Sequence, residues 1–313
     1  MDMSFDLSMI NERIRRDAAG FVRECDAVFH DKIKKAADLI CNNIEISPVV
    51  LLSGPSGSGK TTTSLKLQEE LTSRGIASRG ISMDNYFKTV DLSSAPRTSN
   101  GEIDYESPLC LDMDLLNEHF DMLNRGEEIQ IPHFMFARQK RSASNFTPMK
   151  LGKNEVAIFE GIHALNNDLT DRHPEAMNLY ISARSNITDD ARIVFKGTWL
   201  RLVRRVVRDN NFRGADALFT IKMWSNIRRG EKLYISPYKE KASFMLDSAI
   251  PYEVSLLKNY APALFSQVPD DYERHSELQE LFNAFNSFET LDPSIVAPDS
   301  LLREFIGGSK YKF

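Results

Sequence analysis

Apolar residues recur along this chain in two rhythms, and the change from one to the other marks out its elements. Over residues 1 to about 43, Ile10, Ile14, Phe21, Cys25, Val28, Phe29, Ile33, Ala37 and Ile40 return every three or four positions with Arg and Asp between them. This predicts a helical preface whose apolar face packs on the adjacent core or meets a partner, the core being the preferred reading. Residues 49–52 form a short unbroken apolar run, as a buried strand does, and residues 61–74 carry Leu65, Leu67 and Leu71 at roughly helical spacing before Gly75. A second strand is expected over 78–83, followed by Asp84-Asn85-Tyr86-Phe87 and a long polar loop through Ser93, Pro96 and Gly101. Further along, the pattern predicts a helix over 111–125, a short β segment over 128–132, strands over 155–159 and 178–183, and a helix over 198–210. From Tyr252 onward the chain reads as mostly helical, with Leu278, Leu281, Phe282, Phe285 and Phe288 on an amphipathic segment. Strands alternating with helices predict an α/β fold, a doubly wound parallel sheet with helices on both faces and a site along the strand ends.

The segment between the first strand and its helix carries chemistry. Gly54-Pro55-Ser56-Gly57-Ser58-Gly59-Lys60-Thr61 is a complete G-x-x-x-x-G-K-T phosphate-binding loop, followed by Thr62. Its glycines let the backbone curl so that N–H groups and the helix N-terminus face an anion. Lys60 reaches the β/γ-phosphates, and the Thr61 hydroxyl takes a Mg²⁺ position. The fold class is therefore that of the P-loop NTPases, and ATP with Mg²⁺ is the expected cofactor pair. The expected nucleotide-binding set is Gly54, Ser56, Gly57, Ser58, Gly59, Lys60, Thr61 and Thr62.

Composition narrows the partners. The 313 residues are 42% hydrophobic and 27% charged with a net charge of −5, an ordinary acidic globular chain. That balance argues against nucleic acid as a general partner. Cys25, Cys41 and Cys110 lack metal-ligand spacing and suit a reducing compartment, and no apolar run approaches membrane-spanning length. A cytoplasmic enzyme with a small-molecule partner is expected, with room for a homo-oligomer.

Transfer of a phosphoryl group needs an acid to orient the acceptor, an acid near the metal and cations to offset charge. Asp84, at a strand end, can accept a proton from an incoming hydroxyl, or serve only as a turn residue. Glu160 ends an apolar strand and is followed by Gly161, suiting the metal site with Thr61. Arg201, Arg204, Arg205, Arg208 and Arg213 fall within one short stretch without Lys, which points to phosphate binding rather than a solvated face.

In this order the motifs resemble the uridine kinase and phosphoribulokinase family of P-loop kinases. The residues that carry the resemblance are the loop 54–61, Met83-Asp84-Asn85-Tyr86-Phe87, and Ile103-Asp104-Tyr105-Glu106-Ser107-Pro108. Ile131-Pro132 with Phe134 and Phe136, Phe159-Glu160-Gly161-Ile162, and Arg204-Arg205-Val206-Val207-Arg208-Asp209 with Arg213-Gly214 complete it. Met223-Trp224, Arg228-Arg229-Gly230-Glu231 and the tail 300–308 are similar to the longer bacterial nucleoside-kinase branch. The resemblance implies that Asp84 activates the acceptor hydroxyl, aided by Lys60, Arg208 and Arg213 in the catalytic set. It implies an acceptor site of Asp84, Tyr86, Asp104, Phe134, Phe136, Gln139, Arg141 and Arg205, with Asp104 and Arg205 gripping a sugar and Phe136 stacking on a base. Departures from the family pattern fall at Ile103, Phe134, Gln139, Ala215 and Met223, all bearing on the base rather than on transfer. The implied reaction is phosphorylation of a nucleoside 5′ hydroxyl. The alternatives are another hydroxyl acceptor, such as a sugar phosphate, polyol or cyclitol, and a slow NTPase switch. The implied division is a preface 1–46, a kinase domain 47–255 with a lid, and a helical extension 256–313.

Overall fold

The computed structural model describes residues 4–312. Its centre is a five-stranded, wholly parallel sheet in the order Phe244–Asp247, Met177–Ser182, Val49–Ser53, Glu155–Glu160, Ala77–Ser82. The first of these strands in the chain is thus the middle one, and the later strands are laid down on both its sides. That arrangement leaves a crevice outside the carboxyl ends, where the strand order reverses.

Alternation along the middle strand explains why both faces are covered. Val50 and Leu52 point into one core with Ile158, Leu179 and the N-terminal helix, while Val49 and Leu51 point into another with Phe159, Phe120 and Tyr180. All five residues of Val49–Ser53 are buried. The N-terminal helix, Leu7–Asn43, lays Ile10, Ile14, Phe21, Cys25, Phe29, Ile33, Ala37 and Ile40 on the first core. Val28, expected on that face, is instead exposed. The helix is interrupted at Asp17 (φ −157°, ψ 77°), whose carboxylate accepts from the Gly20 N–H at 2.9 Å and so caps the second segment.

Local chemistry moves several boundaries. The second strand stops at Ser82, and Met83, expected within it, opens a 3₁₀ turn Met83–Tyr86 in which the Ser82 hydroxyl accepts from the Asp84 N–H. The helix expected over 111–125 is Met113–Asn124, because Asp112 caps it by accepting from Leu115 N–H. The β segment expected over 128–132 extends to Ile129–Met135 and pairs antiparallel with Lys140–Met149. The partner strand carries no alternating apolar face and is mostly exposed, so its sequence reads as a loop.

A helix and the C-terminal segment complete the first face. Gly197–Phe212 buries Arg201 and Arg204, each ion-paired to a carboxylate, Glu231 and Glu253 respectively. Leu301, Leu302 and Phe305 near the C-terminus are fully buried in the same core. Among the described residues no helix is long and apolar enough to cross a membrane.

Arg204 and Glu253 are both fully buried, so removing one partner strands the other charge away from water. Glu253→Ala is expected to lower unfolding free energy by about 3–5 kcal/mol, whereas the apolar pair Arg204→Met with Glu253→Leu restores most of it. Urea unfolding followed by circular dichroism checks both; equal losses in the single and double variants would contradict the account.

Candidate active site

The loop between the middle strand and its helix is shaped by two close approaches of backbone to backbone. A Cβ at Gly54 would lie 2.0 Å from the Ile181 carbonyl oxygen, and one at Gly57 2.7 Å from that of Arg201. Gly57 and Gly59 also hold φ of +75° and +83°, conformations that glycine adopts without strain. The loop opens into the helix Lys60–Ser73, whose first N–H groups have no carbonyl one turn earlier and are placed to meet an anion.

The arginines expected to bind phosphate divide into two groups. Arg201 and Arg204 are internal: Arg201 binds both oxygens of Glu231 at 2.9 Å and the Ser56 carbonyl at 3.3 Å. Arg204 holds Glu253, the Ser248 carbonyl at 2.8 Å and the Gly57 carbonyl at 3.2 Å. They support the loop from behind and do not reach the crevice, because their guanidinium groups are buried against Glu231 and Glu253. Arg205 donates to the Ser56 hydroxyl and pairs with Asp209 at 3.2 Å. Arg208 and Arg213 line the crevice, both leaning on Asp209.

That crevice is a cavity of about 610 Å³ at the strand ends, bringing together Thr61, Asp84, Glu160, Arg208 and Arg213. Lys60 stands among them, its Nζ donating to the Pro55 carbonyl at 3.3 Å. Burial pushes the lysine pKa down, against the pull of Glu160, Asp84 and Glu304. Crowding in the crevice raises the Asp84 pKa, opposed by Lys60 and Arg213, although the side chain keeps an open face. Burial, with repulsion from Asp84 and Glu304, pushes Glu160 up to about 7 despite Lys60. The far wall comes from the C-terminal segment, with Arg303, Glu304, Gly307, Gly308 and Tyr311. In the sequence that segment shows only its likeness to a branch of the family, with nothing local that marks it as part of the site.

A second cavity, of about 430 Å³, lies beyond the Asp84 turn. Phe87, Phe134 and Phe136 form its aromatic wall, their rings meeting at centroid distances of 5.1–6.2 Å, and Ile103, Tyr105 and Gln139 line it too. Phe136 leaves most of its surface exposed. Gln139 sits at a left-handed position (φ 49°) and accepts from the Tyr105 hydroxyl at 3.4 Å.

Besides Arg205, three residues expected at the acceptor are engaged within the protein. Tyr86 is fully buried with its hydroxyl 2.8 Å from His119 Nδ1. Arg141 binds Asp112 at 2.8 Å and the Tyr86 and Phe87 carbonyls at 2.8 and 3.1 Å, fastening the hairpin to the Asp84 turn. Asp104 does not meet Arg205; it accepts from Arg229 at 2.6 Å and Tyr234 at 3.0 Å. Beside it the Glu106 carboxyl is pushed up to about 7 by burial, against Arg205 and with the help of Asp104. Glu106, Arg229 and Tyr234 were given no role from the sequence, although Glu106 lies in the same short motif as Asp104.

A P-loop, a carboxylate at the neighbouring strand end and cations over one crevice define a P-loop kinase. The chain belongs to the Phosphoribulokinase / Uridine kinase family, whose sequence model matches residues 49–254. It is an ATP-dependent phosphotransferase with an alcohol acceptor. It is 26% identical over 223 residues to a uridine kinase of Halobacterium salinarum, covering 69% of this chain and 88% of that protein. It is 28% identical over 201 residues to a uridine kinase of Staphylococcus haemolyticus, covering 63% and 86%. Among solved structures, a possible uridine kinase from Bacillus stearothermophilus aligns with a TM-score of 0.43 at 17% identity, over 68% of this chain and 98% of that one.

An acid whose folded pKa lies above its unfolded value favours the fold while protonated and costs stability once ionised. Glu106, at about 7 in the fold against 4.5 as a free side chain, weakens the fold as pH rises from 4.5 through 7. Glu106→Gln is therefore expected to raise the urea midpoint above that of the native chain at pH 8 and to match it near pH 4. A gain of equal size at both pH values would rule out ionisation as its source.

Proposed function

We propose that the acceptor is a nucleoside, phosphorylated on its 5′ hydroxyl by ATP with Mg²⁺. One observation carries this reading: a single short turn sends Asp84 into the phosphate cavity and Phe87 into the aromatic cavity. A molecule with a flat apolar end and a primary hydroxyl would span both. The aromatic wall would take the base by stacking and edge contacts, without reading its hydrogen-bonding edge closely. A sugar phosphate would require cations around the acceptor, and among the described residues Lys88 is the one cation lining this cavity. A polyol or cyclitol would turn its hydroxyls against Phe87, Phe134, Phe136 and Ile103.

In the proposed mechanism Asp84 accepts the hydroxyl proton as the acceptor oxygen bonds to the γ-phosphorus and the bond to the ADP oxygen breaks. Lys60, Arg208 and Arg213 offset the charge on the transferred group. A raised pKa makes the Asp84 carboxylate a stronger base toward the incoming hydroxyl. Thr61 and Glu160 offer hard oxygen donors, which suit Mg²⁺. Among the described residues no three His, Cys, Asp or Glu side chains close on one point, and Mg²⁺ in such sites usually keeps waters and draws on substrate phosphates. The metal would supply neutralisation of the phosphate oxygens. Residues 47–255 would be the catalytic unit, with 1–46 and 256–313 as extensions packed on it.

Asp84→Asn is expected to lower kcat on the order of 10²-fold or more while the KM for ATP stays near its original value. Steady-state kinetics with varied ATP checks this; a raised KM with kcat preserved would make Asp84 a binding residue.

The acceptor is tested by kcat/KM for uridine, cytidine, adenosine, guanosine and inosine at saturating ATP, beside a pentose phosphate and a cyclitol. Ribonucleosides are expected to react, with discrimination among bases below about 10⁴-fold, the range of strong hydrogen-bond selection. Turnover confined to a non-nucleoside would overturn the reading.

A further inference from the structure

The phosphate-binding helix is already occupied at one of its anion positions. Thr62, the third residue of that helix, donates its hydroxyl to the Glu304 carboxylate at 2.7 Å and directs its backbone N–H to the same oxygen at 3.3 Å. This N–H is one of the free donors at the start of the helix, which in a P-loop serve the phosphates of the nucleotide. Glu304 is 7% exposed, so its charge has been taken out of water for this contact. Arg208, which lines the same cavity, stands 3.7 Å from it.

The segment that delivers Glu304 is pinned along the whole helix. Before it, Asp299 pairs with Lys66 at 3.2 Å, and a Cβ at Gly59 would lie 2.8 Å from the Leu301 side chain. After it, Gly307 and Gly308 take positive φ, and the Lys310 ammonium and Tyr311 hydroxyl both reach Glu69. These last contacts are at the surface and contribute little individually. The buried anion on Thr62 is the contact that a phosphate would contest directly, since both bind the same donors.

We propose that Glu304 is an internal stand-in for a nucleotide phosphate, and that ATP binds by displacing it from Thr62 and loosening residues 303–311. The free energy of releasing the segment is then subtracted from nucleotide affinity, which becomes adjustable by anything that holds or frees the C-terminal segment. This rests on ATP as donor and is independent of the acceptor.

Two measurements on the full chain test the proposal. Glu304→Gln and Glu304→Ala are expected to bind ATP about tenfold more tightly by calorimetry, since the competing anion is gone. In the unaltered protein, ATP or inorganic tripolyphosphate is expected to speed amide hydrogen exchange across residues 303–311, a readout that requires no variant to fold. Weaker or unchanged ATP binding by the variants, or slower exchange of the segment on adding ATP, would overturn the proposal by making Glu304 part of the nucleotide site. Absence of any ATP binding by the unaltered chain would instead defeat the donor assignment.

Discussion

Everything in the crevice hangs on carbonyl oxygens being held from behind. A loop that presents N–H groups to an anion turns its carbonyls away from it, and those carbonyls must find donors in a region without water. Arg201 and Arg204 supply them, one at Ser56 and one at Gly57, while Glu231, Glu253 and the Ser248 carbonyl hold the two guanidinium groups in place. The loop is thereby set before any ligand arrives. Because Glu231 follows the helix Ala217–Gly230 and Glu253 opens the helix Glu253–Leu257, both packed into the first core, the loop's shape is tied to the packing of that whole layer.

In front of the loop the electrostatics run the other way. Lys60 is half-buried beside Asp84, Glu160 and Glu304; Asp84 and Glu304 make ionisation of Glu160 harder while the lysine makes it easier. Such a cluster is stable only near balance, and a bound polyphosphate changes that balance sharply. The cations Arg208 and Arg213, both anchored on Asp209, stand at the rim where an added anion would meet them.

How far the sequence disclosed this depends on the range of the interactions involved. The phosphate loop, the strands that end at Ser82 and Glu160, and the helix following Gly59 are set by residues close together in the chain, and they were read directly. The arginine helix was legible as a helix, but the partners that draw Arg201 and Arg204 inward lie 30 and 49 residues away. Spacing alone therefore assigned all five arginines to phosphate. Glu304 meets Thr62 across 242 residues, and no local pattern reports such a contact. The strand Lys140–Met149 escaped for a different reason: a mostly exposed strand has no buried face and leaves no alternation to read.

That exposed hairpin has a further consequence. It carries Phe134 and Phe136 yet lies outside the five-stranded sheet, joined to the Asp84 turn chiefly through Arg141. A wall built this way can exchange residues at small cost to folding, because few of its side chains support the core. Selection can therefore rework one wall of the aromatic cavity while the machinery that handles phosphate is inherited unchanged, so the fold separates what is free to diversify from what must be kept.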